Sequence, residues 1–291
     1  MKVGVFAALA SPYAGPEVIQ ALGRTADERG VHSIWVPEHV VLFEDYASTY
    51  PYSPDGKVPA PPDAGMLEPF TMLSFLAACT TNVRLGTAIC LLPQRNPVYT
   101  AKEAAAVDYL SGGRFDFGIG VGWLEEEFRV VNVDWAKRGK RTDEYIEVMK
   151  ALWGADPAEH HGDLYDLPPC NMNPKPVQAP HPPLHFGGES DAALRRVARV
   201  GQGWHTFNRL PDQVAEPLAT LDRFLDEQGR SRADVEITLS PYFNALTPDM
   251  VKQYAEHGVD QVTSLVFATN PAEVEMVFND LQPCLDAAAT C

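Results

Sequence analysis

The sequence predicts a parallel (β/α)8 barrel, and three observations support this prediction. Short segments rich in Val, Ile and Phe alternate with longer amphipathic segments, which is typical of strands buried on both faces and covered by helices. Eight such β-then-α units occur along the chain, and eight units close a barrel. The 291 residues, 45% of them apolar, are enough for one large barrel. A doubly wound sheet is the alternative, but it rarely needs eight units.

The eight predicted strands are short and are bounded by Gly, Pro or Asn, which often terminate strands. Residues 3–10 also resemble a short signal peptide, but Gly4 interrupts the apolar run and Lys2 is the only basic residue before it. We therefore interpret this segment as the first strand. The predicted strands span residues 2–7, 32–37, 83–91, 115–120, 184–187, 203–207, 235–242 and 261–267.

The helices predicted between these strands have apolar side chains at helical spacing. The first places Val18 and Leu22 on one stripe and stops before Gly30, a natural C′ glycine. The third begins with Asn96 as its cap and Pro97 at its first helical position. The predicted helices span residues 16–29, 68–80, 97–110, 140–153, 190–200, 212–228, 248–257 and 271–289.

Two proline-rich segments, 41–65 and 155–183, interrupt the alternation of strands and helices. Long segments without secondary structure of their own are usually lids or binding loops. The first follows the second strand directly, so it lies at the C-terminal face, where barrel active sites are found. We therefore expect a single domain over residues 1–291 with two insertion loops.

Composition excludes several classes of function. The chain has 39 acidic and 23 basic residues and a net charge of −16, whereas nucleic acids and acidic membranes require a basic surface. No apolar run approaches the ~20 residues of a membrane span. The five cysteines are widely spaced and form no Cys-x-x-Cys pair, so neither a disulfide framework nor a zinc ribbon is expected. The expected location is the cytoplasm.

Glu38 and His39 follow the second predicted strand, so both emerge at the expected catalytic face. A histidine in this position can hydrogen-bond a ligand or act as an acid or base near neutral pH. The alternative is a histidine that only packs its loop. The position in the barrel favours the functional interpretation of His39.

Small residues in the third and fourth strands would let a ligand approach the backbone. Gly86, Thr87 and Ala88 could admit a flat ligand, although a plain core strand has a similar composition. Gly120 and Gly122 belong to a Gly-x-Gly-x-Gly pattern whose spacing differs from that of a dinucleotide-binding fingerprint. The pattern therefore indicates only a close approach of backbone and ligand.

Gly187 and Gly188 end the fifth strand, and Ser190 opens the helix that follows. Free backbone N–H groups and the helix dipole favour an anion at such a position, and the Ser190 hydroxyl can add a donor. A phosphate after a late barrel strand fits the usual placement. The same residues would equally serve as an ordinary glycine turn and serine cap.

Two polar clusters are interpreted as solvated surface. His160 and His161 lie in the proline-rich second insertion, and adjacent histidines rarely face one metal ion. Glu125, Glu126 and Glu127 are interpreted as a solvated helix start, favoured by the helix dipole. No metal site is therefore expected in this protein.

Several segments together resemble the bacterial luciferase-like flavin and deazaflavin oxidoreductases, in particular members that use coenzyme F-420. The order and spacing of these segments are more specific than any one of them. They are PEHVV at 37–41, YPYSPDG at 50–56, RNPV at 95–98, LSGGRF at 110–115, GIGVGWLEEEF at 118–128, RGKRTDEYI at 138–146, PKPVQ at 174–178 and GGES at 187–190.

The resemblance implies a barrel with a long insertion and a cofactor at its C-terminal face. A tricyclic ring would rest on a bulge in the third strand, where such proteins often have a non-prolyl cis peptide, and a phosphate would bind after the fifth strand. The catalytic residues expected there are His39 and Glu38. The cofactor-binding residues it implies are Ala88, Ile89, Cys90, Gly120, Gly122, Gly187, Gly188, Glu189 and Ser190.

The expected activity is hydride transfer between coenzyme F-420 and a small organic substrate, in a homodimer. Within the same fold, the alternative is a monooxygenase that uses reduced FMN. A non-catalytic flavin-binding protein and a metal-dependent barrel hydrolase are hypotheses of other classes. Two residues depart from the family: Glu38 stands where members often have Asp, and Trp123 stands where some deazaflavin dehydrogenases have a carboxylate. The second departure disfavours sugar-phosphate dehydrogenase chemistry.

Overall fold

The computed structural model describes residues 1–12 and 14–291 and contains a closed barrel of eight parallel strands. Each strand pairs with the next along the chain, and the last pairs with the first, so the sheet closes on itself. The predicted fold class is confirmed. We label the barrel strands β1 to β8; they are Lys2–Ala7, Ser33–Val36, Arg84–Thr87, Phe115–Gly120, Leu184–Gly187, Gly203–Phe207, Glu236–Ser240 and Gln261–Val266.

Helices cover the outside of the barrel in the part of the chain that the structure describes. We label them α1 to α9; they are Pro16–Glu28, Pro69–Cys79, Pro97–Ser111, Glu125–Val130, Arg138–Trp153, Asp191–Val200, Ala215–Glu227, Pro248–Glu256 and Pro271–Ala288. Shorter 3-10 turns occur at Leu92–Gln94, Pro211–Gln213 and Arg232–Asp234. A helix start was predicted at Glu125–Glu127, but no bounds were predicted for α4, because a helix of six residues is too short to show a periodic pattern. No helix among these residues is long and apolar enough to cross a membrane.

The third strand is broken, which the sequence pattern alone did not predict. Residues 83–91 were predicted as one strand, but β3 ends at Thr87, and Cys90–Leu91 pairs separately with β4. The Ala88–Ile89 peptide between them is cis, as the family resemblance implied. The break turns the Ile89 side chain over β4 and β5, where only glycine leaves room for it.

The prediction of an unstructured second insertion was wrong in part. It contains an antiparallel hairpin of Ala158–His161 and Asp166–Cys170. Ala158 and Leu167 of the hairpin are buried in the core. The second strand was not predicted because it contains two prolines, and proline is confined to the edges of sheets. In the first insertion, Gly65–Met66 pairs with Ala10–Ser11 after β1.

Two histidines lie inside the barrel, where they pack rather than line a surface. The His205 ring stacks on Phe207 at a centroid distance of 4.9 Å and contacts Trp35 edge to face at 4.7 Å. Burial lowers the pKa of His205 to about 3, so this side chain is neutral at physiological pH. His185 is also buried beside Trp35. These two histidine rings are therefore part of the packed barrel interior.

Candidate active site

A cavity of about 660 Å³ opens where the C-terminal ends of the barrel strands meet the first insertion. Ala88 after β3 and Phe207 at the end of β6 form part of its wall, and Tyr50 and Pro61 of the insertion complete it. Most of the lining is apolar, and the volume falls within the range of small-molecule sites. The cavity therefore occupies the usual reaction site of a barrel enzyme.

The structure brings most of the predicted site residues to this cavity. Those that line it are Glu38, His39, Ala88, Ile89, Gly122, Gly187 and Gly188. Cys90 and Gly120 lie behind the wall, and Glu189 and Ser190 lie beyond its edge. The two catalytic candidates and the ring-binding candidates Ala88 and Ile89 thus line the same cavity.

His39 lies between the cavity and the buried carboxylate of Glu127. Its side chain is 9% exposed, and its Nδ1 atom is 3.3 Å from Oε2 of Glu127, at an angle outside strict hydrogen-bond geometry. An ionised carboxylate only accepts hydrogen bonds, so the attractive arrangement places the ring proton on Nδ1. The Nε2 atom then remains available for a ligand in the cavity.

Glu127 was predicted to be solvated, and this prediction was wrong: its side chain is fully buried. Its carboxylate accepts hydrogen bonds from the backbone N–H of Val40 at 2.7 Å and from Nε2 of Gln94 at 3.1 Å. Burial alone would raise the pKa of Glu127, but these donors and His39 lower it below the ordinary value. Glu127 therefore fixes the turn that carries His39.

Replacing Glu127 with glutamine should lower the free energy of unfolding at pH 7 by about 2–3 kcal/mol, because the new amide cannot accept every hydrogen bond that the carboxylate accepts. The lowered pKa means that the carboxylate stabilises the native state fully above pH 4.5, the ordinary value, and less as the pH falls. Urea denaturation of both proteins should therefore show a constant difference near neutrality that shrinks in acid.

Glu125→Gln is the matched control for this experiment, because the Glu125 side chain makes no hydrogen bond within residues 1–12 and 14–291. It should change the free energy of unfolding by less than about 0.5 kcal/mol. Equal losses in the two variants would contradict the positioning role of Glu127.

Glu126 tethers the first insertion to α4, so it is not a freely solvated residue either. Its carboxylate accepts hydrogen bonds from the backbone N–H of Ala47 at 2.8 Å and the hydroxyl of Ser48 at 2.7 Å. Desolvation opposes ionisation, but these donors lower the pKa of Glu126 to about 2. Ser48 Oγ also accepts from the backbone N–H of Glu125 at 3.0 Å. The carboxylates of Glu126 and Glu127 thus hold the wall of the cavity in place.

Glu38 borders the cavity, but its carboxylate is occupied by protein donors. One oxygen accepts the backbone N–H of Leu91 at 2.6 Å, and the other accepts Nε of Arg95 at 2.8 Å. Arg95 in turn pairs with Glu68 at 2.6 Å and Glu103 at 3.0 Å. These contacts suit a residue that positions the broken third strand rather than one that exchanges protons.

The broken third strand gives the cavity an apolar shelf. Ala88 and Ile89 face the cavity, while the adjacent Cys90 is fully buried. Burial, together with the neighbouring Glu38 carboxylate, raises the pKa of the Cys90 thiol, so it is not a reactive thiolate. A Cβ atom on Gly120 or Gly187 would lie far inside van der Waals contact with Ile89. Glycine is therefore required at both positions, because it leaves the space that the Ile89 side chain occupies.

The segment after β5 combines a glycine turn with a helix start. Gly188 has a φ of +95°, and the Ser190 hydroxyl accepts the backbone N–H of Ala193 at 3.3 Å as the cap of α6. The N–H groups of Asp191 and the residue after it have no acceptor within the helix. Glu189 points to Thr206 and to Arg209, whose Nε lies 3.0 Å from the carboxylate. The turn can therefore hold an anion at the edge of the cavity.

Sequence reasoning missed an aromatic group that encloses His39. The Trp123 ring lies 5.7 Å from His39, 5.6 Å from Tyr46 and 5.1 Å from Tyr50, measured between centroids. On the far side, Tyr242 follows β7 and its hydroxyl is 3.0 Å from that of Tyr50. Trp123 and Tyr50 stood in segments that carried the family resemblance, but Tyr242 had been placed in a strand.

A closed (β/α)8 barrel with an apolar cavity and a buried His–Glu pair at its mouth defines a barrel protein with a site for small molecules. The sequence model of the luciferase-like monooxygenase family matches residues 1–276, and the chain belongs to this family. An uncharacterized protein of Mycobacterium tuberculosis (strain H37Rv) is 34% identical over 241 residues, which are 83% of this chain and 82% of that protein.

Two solved structures share the fold over almost the whole chain. A monooxygenase of Streptomyces bottropensis has a TM-score of 0.78 and 22% identity, and the match covers 98% of each chain. A coenzyme F-420-dependent tetrahydromethanopterin reductase of Methanopyrus kandleri has a TM-score of 0.73 and 15% identity, over 95% of this chain and 97% of that one. At these identities the likeness shows the fold alone.

Proposed function

We propose that this protein is an oxidoreductase that transfers a hydride between coenzyme F-420 and a small organic substrate. The observation that carries the proposal is one cavity that combines an apolar shelf, an anion-binding turn and the histidine His39. A deazaflavin cofactor has the matching parts: a flat ring system and a phosphorylated side chain. The resemblance of eight sequence segments to proteins that use this cofactor adds to the proposal.

The residues present fit such a group. Ala88 and Ile89 offer apolar side chains against which one face of a ring can pack. Gly187 and Gly188 have no side chain to block the passage from this shelf to the start of α6. At that point, unpaired N–H groups and the helix dipole favour a phosphate. Arg209 pairs with Glu189 close to the same turn, so the Glu189 carboxylate is compensated there.

The protein's own residues would position the reactants and transfer the proton to or from the substrate oxygen. When bound, the cofactor supplies the carbon that accepts or donates the hydride. His39 lines the same cavity, and because its Nδ1 lies against Glu127, its Nε2 can donate a proton to a substrate oxygen or remove one from it. Trp123 and Tyr50, held by the tethered insertion, exclude water from the space above the shelf. Glu127 keeps the imidazole in the required orientation.

A monooxygenase that uses reduced FMN is the second candidate, favoured by the family to which the chain belongs. The same shelf and turn would serve FMN, whose ring and phosphate have a similar arrangement. The two candidates differ in the cofactor that binds and in whether turnover consumes oxygen.

Titration of the cofactor-free protein with coenzyme F-420 and, separately, with FMN tests the proposal. We expect quenching of the fluorescence of F-420 and a shift in its visible spectrum, with a lower Kd than for FMN. Tight binding of FMN with none of F-420 would overturn the proposal in favour of the second candidate. Failure of F-420, FMN and anaerobically reduced FMN to bind would contradict both candidates.

A further inference from the structure

Apart from the imidazole of His39, which already faces Glu127, the cavity wall has no side chain that would pair with a charged substrate. No lysine, arginine or aspartate lines it among residues 1–12 and 14–291. The one carboxylate on the wall, Glu38, is already paired with Arg95, and the Glu127 carboxylate behind the wall faces His39. An anionic substrate would meet two carboxylates and lose its hydration without gaining a cation. A cationic substrate would find no free carboxylate.

Apart from these residues, the wall is made of aromatic and aliphatic side chains. Phe6, Phe207 and Tyr242 form one aromatic cluster, with edge-to-face contacts at centroid distances of 5.1 to 6.1 Å. Phe267 and Met66 extend the apolar lining toward the opening. Burial of apolar substrate surface against such a wall is favourable in proportion to the area that leaves water.

The hydroxyl groups of Tyr50 and Tyr242 are a polar feature on this apolar wall. Their oxygens are 3.0 Å apart, and neither makes another hydrogen bond within the part of the chain that the structure describes. Each phenol has one hydroxyl proton. When one hydroxyl donates its hydrogen bond to the other, the accepting hydroxyl still has a proton with which it can donate a hydrogen bond to a ligand. Burial raises the pKa of both phenols, so the pair stays protonated at physiological pH.

We propose that the substrate is a neutral, mainly apolar molecule with a hydrogen-bond-accepting oxygen. The Tyr50–Tyr242 pair donates a hydrogen bond to that oxygen from the hydroxyl whose proton is not used within the pair. A ketone would satisfy this description and could also accept the hydride. The inference rests on the proposed function, because it concerns the same cavity. It assigns substrate selection to a pair that joins the first insertion to the end of β7.

Four probes, each with a single benzene ring, test separately the effect of a charge and the effect of a hydrogen-bond-accepting oxygen on binding. They are acetophenone, ethylbenzene, benzoate and phenyltrimethylammonium. Binding is measured by tryptophan fluorescence and calorimetry on protein saturated with oxidised cofactor, in which a ketone is not reduced, and again on cofactor-free protein. We expect acetophenone to bind most tightly and both charged probes to bind at least ~10-fold more weakly.

The double variant Tyr50→Phe/Tyr242→Phe isolates the hydroxyl pair. Removing both partners of one hydrogen bond leaves no unpaired group, so the fold should be retained, which circular dichroism checks. The affinity for acetophenone should fall by about 2- to 10-fold, the range for one hydrogen bond. The affinity for ethylbenzene should stay within about twofold, because the rings remain. Tyr99→Phe, on the exposed side of α3, should change neither.

The outcomes separate this inference from the proposed function. If benzoate or phenyltrimethylammonium binds as tightly as acetophenone, or if the double variant binds acetophenone like the wild type, the inference is overturned, and cofactor titration still decides the proposed function. If acetophenone binds as expected but neither F-420 nor FMN does, the proposed function fails, while the preference of the cavity stands.

Discussion

Replacing Gly118 with alanine should lower the free energy of unfolding by more than about 3 kcal/mol, the scale of severe core overpacking. A Cβ atom at this position of β4 would overlap the carbonyl oxygen of Thr87, and it would lie 3.0 Å from the carbon of that carbonyl. Both neighbours are backbone atoms of the barrel, so no side-chain rotation relieves the contact. Thr87 is also held by a hydrogen bond from its hydroxyl to the Gly118 carbonyl at 2.6 Å.

Urea and thermal denaturation measure this loss, and Gly139→Ala provides the matched control. Gly139 lies in α5, and a Cβ atom added there would have Nη2 of Arg196 as its nearest neighbour, at an ordinary contact distance of 3.8 Å. The control should therefore be neutral or more stable by up to about 1 kcal/mol, as alanine favours the helix. A Gly118→Ala protein with wild-type stability would show that the third strand can shift, contrary to this argument.

The barrel could be predicted from the sequence because its strands are buried on both faces and each carries its own apolar signal. The segment 115–120 was predicted with the bounds that β4 has in the structure. The prediction extended the seventh strand to Tyr242, whereas β7 ends at Ser240 and Pro241 follows. Proline cannot continue a ladder of hydrogen bonds, so the end of this strand could have been predicted from Pro241 itself.

The parts of the site that were missed depend on contacts between distant segments. Three consecutive glutamates look alike in the sequence, and only the docked first insertion distinguishes Glu127, which is buried, from Glu125. Likewise, the approach of Tyr50 to Tyr242 joins residues 192 positions apart. Periodicity and propensity are local properties, so they do not report such pairs. His39 was found because its position after a barrel strand is itself a local signal.

Replacing His39 with alanine should reduce turnover by at least ~100-fold, the usual contribution of general acid–base catalysis, while the Kd of the cofactor changes by less than about threefold. The shelf and the anion-binding turn are formed by residues other than His39. We therefore expect the loss in kcat rather than in cofactor affinity. Rates are measured with the neutral carbonyl compound that turns over fastest, and cofactor binding by fluorescence titration.

His39→Gln and His161→Ala distinguish proton transfer from packing. Glutamine keeps a polar side chain but does not exchange a proton near neutral pH, so His39→Gln should be about as slow as His39→Ala. His161 is 65% exposed and pairs with Asp166 on the hairpin, so His161→Ala should retain the wild-type rate. If His39→Ala kept full turnover, another group in the cavity would have to supply the proton. If His39→Gln restored the rate, His39 would act by orienting the substrate, since a hydrogen bond alone would then be sufficient for catalysis.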